Sequence, residues 1–316
     1  MINKDSYILV MGASIVDILG FCKNDYKQKD SIPGNIKIAL GGVCRNIAEN
    51  LARVGVNTKF ISIIGSDENG RSILENSKLI GYDMKDSLIL DSGCTPTYMA
   101  ILDETGDMIS AVVDMDSLGA MDTDFVDSKA EKIKSAEYTI VDADDAELLE
   151  YMLTTYKGQT KFVLDPVSAV KAKKLPHLVK YFHTIKPNRY EAEILCGFPI
   201  EDDKDLRKAG KYFLDQGVEN VFISLDADGI YYVNREEEGK IKAKDVKVKN
   251  TTGAGDSFVA GLGYGYMNEL SLKDIVKYSI AMSIVTISHE DTINPKMCED
   301  YVDYYLDRIQ WIETEL

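Results

Sequence analysis

The run Tyr7-Ile8-Leu9-Val10-Met11, closed by Gly12, is apolar at every position. A strand buried on both faces of a parallel sheet has this pattern, whereas a half-exposed strand alternates. Similar compact runs predict strands at 59–65, 138–141, 162–164, 184–186 and 221–225, with a hairpin partner at 230–233 beyond the turn Ser224 to Gly229. Between them the period changes to that of helices. Val43, Ile47, Leu51 and Val54 fall on one face of a helix stopped by Gly55, and 70–80 forms another that ends before Gly81. Residues 272–289 read as a buried helix and 298–312, with Trp311, as a closing amphipathic one. The apolar run Phe258, Val259, Ala260, Leu262 predicts a further helix beginning immediately after the small residues Gly253, Ala254 and Gly255.

Strand and helix alternate in the rhythm of an α/β fold, broken once. Residues 97–102 and 108–114 alternate like the arms of a hairpin around Asp103 to Asp107. With part of 21–39 they predict a small sheet outside the main body, built from segments near 15–40 and 93–116. An exposed sheet of this kind is either a lid over a site or a contact between two copies.

At 316 residues the chain suits one large α/β domain with a small excursion, so 1–316 is read as a single unit. The formal charge of −16, with no basic block, argues against nucleic acid or an anionic membrane as a partner. Any phosphorylated ligand must then be held locally, by backbone donors and a metal. Cys22, Cys44, Cys94, Cys196 and Cys298 form no C-x-x-C pair and are odd in number, which reads as reduced thiols in a cytoplasmic protein. No apolar run approaches the length of a membrane span.

The chemistry concentrates in Asn250-Thr251-Thr252-Gly253-Ala254-Gly255-Asp256-Ser257-Phe258. Small residues let the backbone approach a ligand, and a helix that follows offers free N–H groups and a positive dipole end to a phosphate. Asp256 beside such a cradle is placed to take a proton from an attacking hydroxyl. The same residues also describe a glycine-rich turn with an acid in the first helical turn. Gly12 to Asp17 follow the first strand, and ligands of open α/β sheets bind at strand carboxyl ends, so Asp17 is either a hydroxyl ligand or a solvated loop acid. Gly41-Gly42 open the next helix, with Asn46 one turn in and able to reach the same space. Asn188 and Glu191, three apart at a helix start, form either a capping box or a water-mediated Mg²⁺ site.

The pair of motifs, Gly41-Gly42 to Gly55 and Thr252-Gly253-Ala254-Gly255-Asp256-Ser257-Phe258, resembles the ribokinase-like (PfkB) family of sugar and nucleoside kinases over nearly the whole chain. That resemblance implies a Rossmann-like three-layer domain with a central, mostly parallel sheet, a small β lid often used for dimerisation, and ATP with Mg²⁺. It makes Asp256 the base and Gly253, Ala254 and Gly255 the anion hole. Asp17, Gly41, Gly42 and Asn46 become sugar ligands, and Asn188 and Glu191 match the N-x-x-E element, with Glu191 near Mg²⁺ through water. Ser224 and Gly229 are expected at the nucleotide, and Thr97, Tyr98, Asp114 and Met115 are the lid residues expected to read the acceptor.

Pro33-Gly34-Asn35-Ile36-Lys37, Asp165-Pro166-Val167-Ser168, Lys186-Pro187-Asn188-Arg189 and Asn294-Pro295 are similar to the branch that phosphorylates the 5′-hydroxyl of pseudouridine. Ribose, fructose, adenosine or another nucleoside are the alternative acceptors, and a non-catalytic nucleoside sensor is the alternative outside catalysis. The chain departs from the family at Asn250, where Asp is frequent, which puts a K⁺ site in doubt, and at Asp226, where Gly is usual.

Overall fold

A computed structural model describes residues 6–316. The expected α/β architecture is present. A nine-stranded sheet runs β15-β14-β13-β12-β11-β10-β9-β1-β4. Its members are β1 (Ile8–Met11), β4 (Thr58–Ile61), β9 (Tyr138–Val141), β10 (Lys161–Leu164), β11 (Thr184–Ile185), β12 (Asn220–Ser224), β13 (Ile230–Val233), β14 (Glu238–Ala243) and β15 (Trp311–Glu315). Pairing is parallel from β4 through β12 and antiparallel from there to β15.

Alternate side chains of β1 enter different cores. Leu9 and Met11 join one layer, under the helices Ala146–Thr155, Arg189–Cys196 and Asp203–Gln216. Ile8 and Val10 join the other, under Val43–Arg53, Ala254–Met267 and Leu272–Ile287. Burial on both faces is why the strand had to be apolar throughout.

The small sheet has the order β3-β2-β7-β8, from β2 (Ile15–Cys22), β3 (Gly34–Gly41), β7 (Thr97–Leu102) and β8 (Met108–Asp114). Its root is tied to the body. Val16 is fully buried in the layer under Val43–Arg53, and Lys37 on β3 forms an ion pair with Asp291 beyond Leu272–Ile287. Ile36, Ile38, Met99, Ile101 and Val112 lie exposed, and the register places them on one face.

Three expectations need correction. The strand expected at 59–65 breaks at Ser62, and its second half, β5 (Ile63–Gly65), leaves the main sheet to pair with β6 (Leu88–Leu90). The Ser87 hydroxyl accepts from the Ser62 N–H at 3.1 Å, taking up the donor freed at the break. The helix expected at 298–312 is Glu299–Leu306, and Trp311 belongs to β15, which pairs with β14 across five residue positions. Lys277 bonds Glu313 at 2.7 Å, and Lys273 pairs with the same carboxylate. The helix expected immediately after the small residues Gly253, Ala254 and Gly255 instead takes in two of them, beginning at Ala254, with Asp256 in its first turn.

Candidate active site

Gly253 is the N-cap of the helix Ala254–Met267, at φ 81°. Only glycine adopts that conformation freely, and a Cβ there would lie 2.3 Å from the Thr292 carbonyl oxygen. Among the described residues no carbonyl accepts from the N–H groups of Gly255 and Asp256, as expected for a first turn. Asn250 Oδ1 accepts from the Thr252 N–H at 3.0 Å while its Nδ2 donates to the Glu290 carbonyl at 2.9 Å. A carboxylate at this position has no N–H to make the second bond.

Two groups of side chains converge on Asp256. On one side, Asn46 Nδ2 donates to Asp256 Oδ2 at 2.7 Å, and Asn46 Oδ1 accepts from Arg45. That second bond fixes which end of the amide faces the acid. The Arg45 guanidinium is 2 % exposed; it donates to the Gly41 carbonyl at 3.0 Å, the Leu40 carbonyl at 2.7 Å and Glu49 at 2.6 Å. Asp17 rises from β2 against Gly41, its Oδ2 2.2 Å from where a Cβ on that glycine would stand. Gly42, the N-cap of Val43–Arg53, completes this side.

On the other side, Lys186 Nζ lies 3.0 Å from where a Cβ on Gly255 would be and pairs with Asp165 at 3.4 Å. Both are buried. Asp165 is held by a strained turn: Val167, at φ 65°, donates its N–H to Asp165 Oδ1 at 2.8 Å, and the Ser168 N–H reaches the Pro166 carbonyl at 2.7 Å. A β-branched residue in the left-handed region is uncommon and clusters at functional sites.

Asn188 and Glu191 form a complete capping box, with N–H to carboxylate and N–H to amide bonds of 2.9 and 2.8 Å. Only one Glu191 oxygen is used in the box. Burial, and then the neighbouring Asp165 charge, push the Glu191 carboxyl upward against the bond from Asn188. Two buried carboxylates feeling one another are an oxygen donor set that suits a hydrated Mg²⁺, so cap and metal neighbour are compatible roles for Glu191.

Two buried acids here are raised to about 7, well above the ordinary carboxylate range: Asp142, by burial and then by the Asp144 charge, and Asp256. Burial first, and the Asp165 charge second, raise the Asp256 carboxyl to about 7, opposed by the Asn46 hydrogen bond and the Lys186 and Arg45 charges. Burial likewise raises Asp17, opposed by Arg45. A carboxyl near neutrality is matched to accepting a proton and releasing it again.

The other expected residues are more scattered. The register pairs Asp17 with Tyr98 and Tyr98 with Val113, so these three share a face. Thr97 and Asp114 fall on the opposite one, and Thr97 donates to the Thr95 carbonyl at 2.8 Å. Ser224 bridges to Asn188 at the end of β12. Gly229 closes the turn before β13, its carbonyl accepting from Leu225 at 2.8 Å. Asp226 in that turn sits at φ 51°, which is why glycine suits the position.

Nothing in the sequence pattern by itself gives Arg45, Asp142, Asp165 or Lys186 a role in the site. Glu49, four residues after Arg45, was the available signal for a helical ion pair. It pointed to a surface pair, whereas this one is buried.

The model of the pfkB family carbohydrate kinases matches residues 5–297. The chain belongs to that family. Its members are phosphotransferases that act on hydroxyl groups, using ATP with Mg²⁺. A pseudouridine kinase of Escherichia coli (strain K12) is 33% identical over 299 residues, 94% of this chain and 95% of the relative. A crystal structure from Clostridium perfringens, described as that of a sugar kinase, is 60% identical with a TM-score of 0.95, covering 99% of each chain. The ribokinase of Thermotoga maritima, at 20% identity, TM-score 0.82 and coverage of 96% and 99%, shares the fold.

Proposed function

We propose that this protein transfers the γ-phosphoryl group of ATP to the 5′-hydroxyl of pseudouridine. The observation that carries the phosphoryl-transfer part is Asp256, in the first turn behind Gly253, bound by Asn46 and raised to about 7. Asp256 accepts the hydroxyl proton as the oxygen attacks. The N–H groups of Gly255 and Asp256 and the ammonium of Lys186 face the charge that spreads over the transferred group. Glu191 would hold Mg²⁺ through water, and the ion would supply further neutralisation of the phosphates. Asp17 and the Gly41-Gly42 backbone hold the ribose, and the β2-β3-β7-β8 sheet excludes water that would otherwise compete as acceptor.

The choice of pseudouridine is supported by the 33% identical relative and by its similarity over nearly the full length of both chains. The exposed apolar face of the lid supports a second part of the reading, that two copies meet there. No helix among the described residues is long and apolar enough to cross a membrane.

Initial rates of ADP formation with pseudouridine, uridine, adenosine, ribose and fructose test the acceptor. The highest kcat/KM is expected for pseudouridine, and a clear preference for a free sugar refutes that choice. Asp256→Asn is expected to keep ATP binding and lose on the order of 10² or more in kcat. Near-normal turnover in that variant refutes its role as base.

A further inference from the structure

At the amino ends of β9, β10, β11 and β12, which run parallel, the loops of the nine-stranded sheet leave a concavity of about 480 Å³, within the size range of small-molecule sites. Asp165 and Lys186 follow the carboxyl ends of β10 and β11, so the concavity lies at the opposite end of these strands from the site around Asp256.

Its charge runs against that of the whole chain. Lys134, Lys157, Lys161 and Lys180 line it, against two carboxylates, Glu137 and Glu219, in a protein of formal charge −16. Lys134 pairs with Glu131 at 3.4 Å. Among the described residues no carboxylate pairs with the other three; Lys157 and Lys180 both stand over the Tyr181 ring, 5.1 and 5.2 Å from its centre, and Lys161 stands over Tyr138 at 5.0 Å. Ammonium groups gathered on one ring repel each other, and a bound anion relieves that repulsion. A larger surface concavity, of about 970 Å³, gives the contrast: there Arg207 pairs with Glu238 at 3.3 Å and Lys211 with Asp215 at 3.2 Å.

Beneath the lysines the floor is fixed. The His183 side chain, 9 % exposed, bonds Thr184 Oγ1 at 2.8 Å and meets Glu219 at 3.2 Å. Thr184 in turn meets the Tyr266 hydroxyl at 2.7 Å, and Tyr138 stacks on Tyr266 with ring centres 4.8 Å apart. Burial holds His183 down to about 4, so the ring is neutral near pH 7 and the lysines supply the positive charge.

We propose that this concavity binds a compact anion of two or more negative charges, recognised through a phosphate group. Arginine forks match planar carboxylates, whereas lysines act as point charges with rotatable donors; the wall holds lysines and no arginine, which suits a phosphate. A cleft lined by one sign of charge concentrates the opposite ion, while the acidic remainder of the surface repels a long polyanion. The site goes beyond the kinase reading and is independent of the acceptor, since the length of the strands separates it from the nucleotide, and both ligands bind together.

The test is a phosphorus NMR titration of the full chain with inorganic phosphate, and separately with glycerol 3-phosphate, with the active site saturated by Mg²⁺ and a non-hydrolysable ATP analogue. Saturable binding of either probe is expected, the tighter one showing whether the anion is free or esterified. Lys157→Ala with Lys180→Ala is expected to weaken it by about tenfold or more, and Lys157→Arg with Lys180→Arg to retain it, with kinase turnover kept in both as the control for folding. Equal binding by the wild type and the alanine variant overturns the proposal. So does loss of binding in the wild type when the ATP analogue is added, or a wild type that binds an RNA oligonucleotide and neither probe.

Discussion

Replacing Asn46 by Ala removes the one side-chain hydrogen bond to the Asp256 carboxylate among the described residues, at 2.7 Å. Burial and Asp165 already push that carboxyl to about 7, and the Asn46 bond acts in the opposite direction. Hydrogen bonds to charged groups contribute roughly 1.5–3 kcal/mol, and one pH unit corresponds to about 1.4 kcal/mol. The acid limb of kcat/KM, which reports the charged base in the free enzyme, therefore moves upward by roughly 1 to 2 pH units. Near pH 7 the variant loses on the order of tenfold or more through the missing charged form alone, and it recovers that part as the pH rises. The assay is kcat/KM for the acceptor from pH 5.5 to 10 at saturating MgATP. A loss of equal size at every pH, with the limb unmoved, refutes the electrostatic role and leaves Asn46 only a positioning one.

The same acid affects stability. Its folded value lies above the ordinary carboxylate range, so the folded state keeps a proton that the unfolded state has released, and stability is lost as pH rises from about 4 through about 7. Asp256→Asn is thus expected to melt higher than the wild type at pH 8 and at the same temperature near pH 4, and a variant that is less stable at pH 8 contradicts this. Gly253→Ala places a methyl against the Thr292 carbonyl at a φ of 81°, with an expected cost of about 1–3 kcal/mol in urea unfolding and a loss of turnover; wild-type values in both would contradict the strain. If two copies meet through the lid as proposed, the wild type is expected to sediment as a dimer and Ile36→Lys with Ile38→Lys as a monomer, and an unchanged sedimentation coefficient removes the lid from the interface.

The central strands were legible because they are buried on both faces: Ile8 to Met11 and Phe162 to Leu164 have no solvent side to break the run. The turn at Gly253 was legible because close backbone approach and a positive φ restrict the choice of residue. β15 was not, since Trp311–Glu315 is mostly exposed and owes its conformation to the ladder with β14 rather than to burial. Lid orientation was beyond reach for a related reason. A slip of one residue exchanges the faces, and only pairing with β2 places Tyr98 rather than Thr97 alongside Asp17. Buried charge was hidden too: Arg45 and Lys186 resemble surface residues until the structure supplies the carbonyls and carboxylates that hold them.

Arg45 has a mechanical consequence as well. By gripping the carbonyls of Leu40 and Gly41 while it is itself braced by Glu49, which also holds Arg53 at 2.7 Å, it rivets the base of β3 to the helix Val43–Arg53. Any swing of the small sheet would then pivot beyond Gly41, and it would have to break the exposed pair Lys37–Asp291 at the middle of β3. In the proposed reaction, a swing of the outer strands would leave the span from Gly41 to Asn46 in place, and product could leave with Asp256 still aligned.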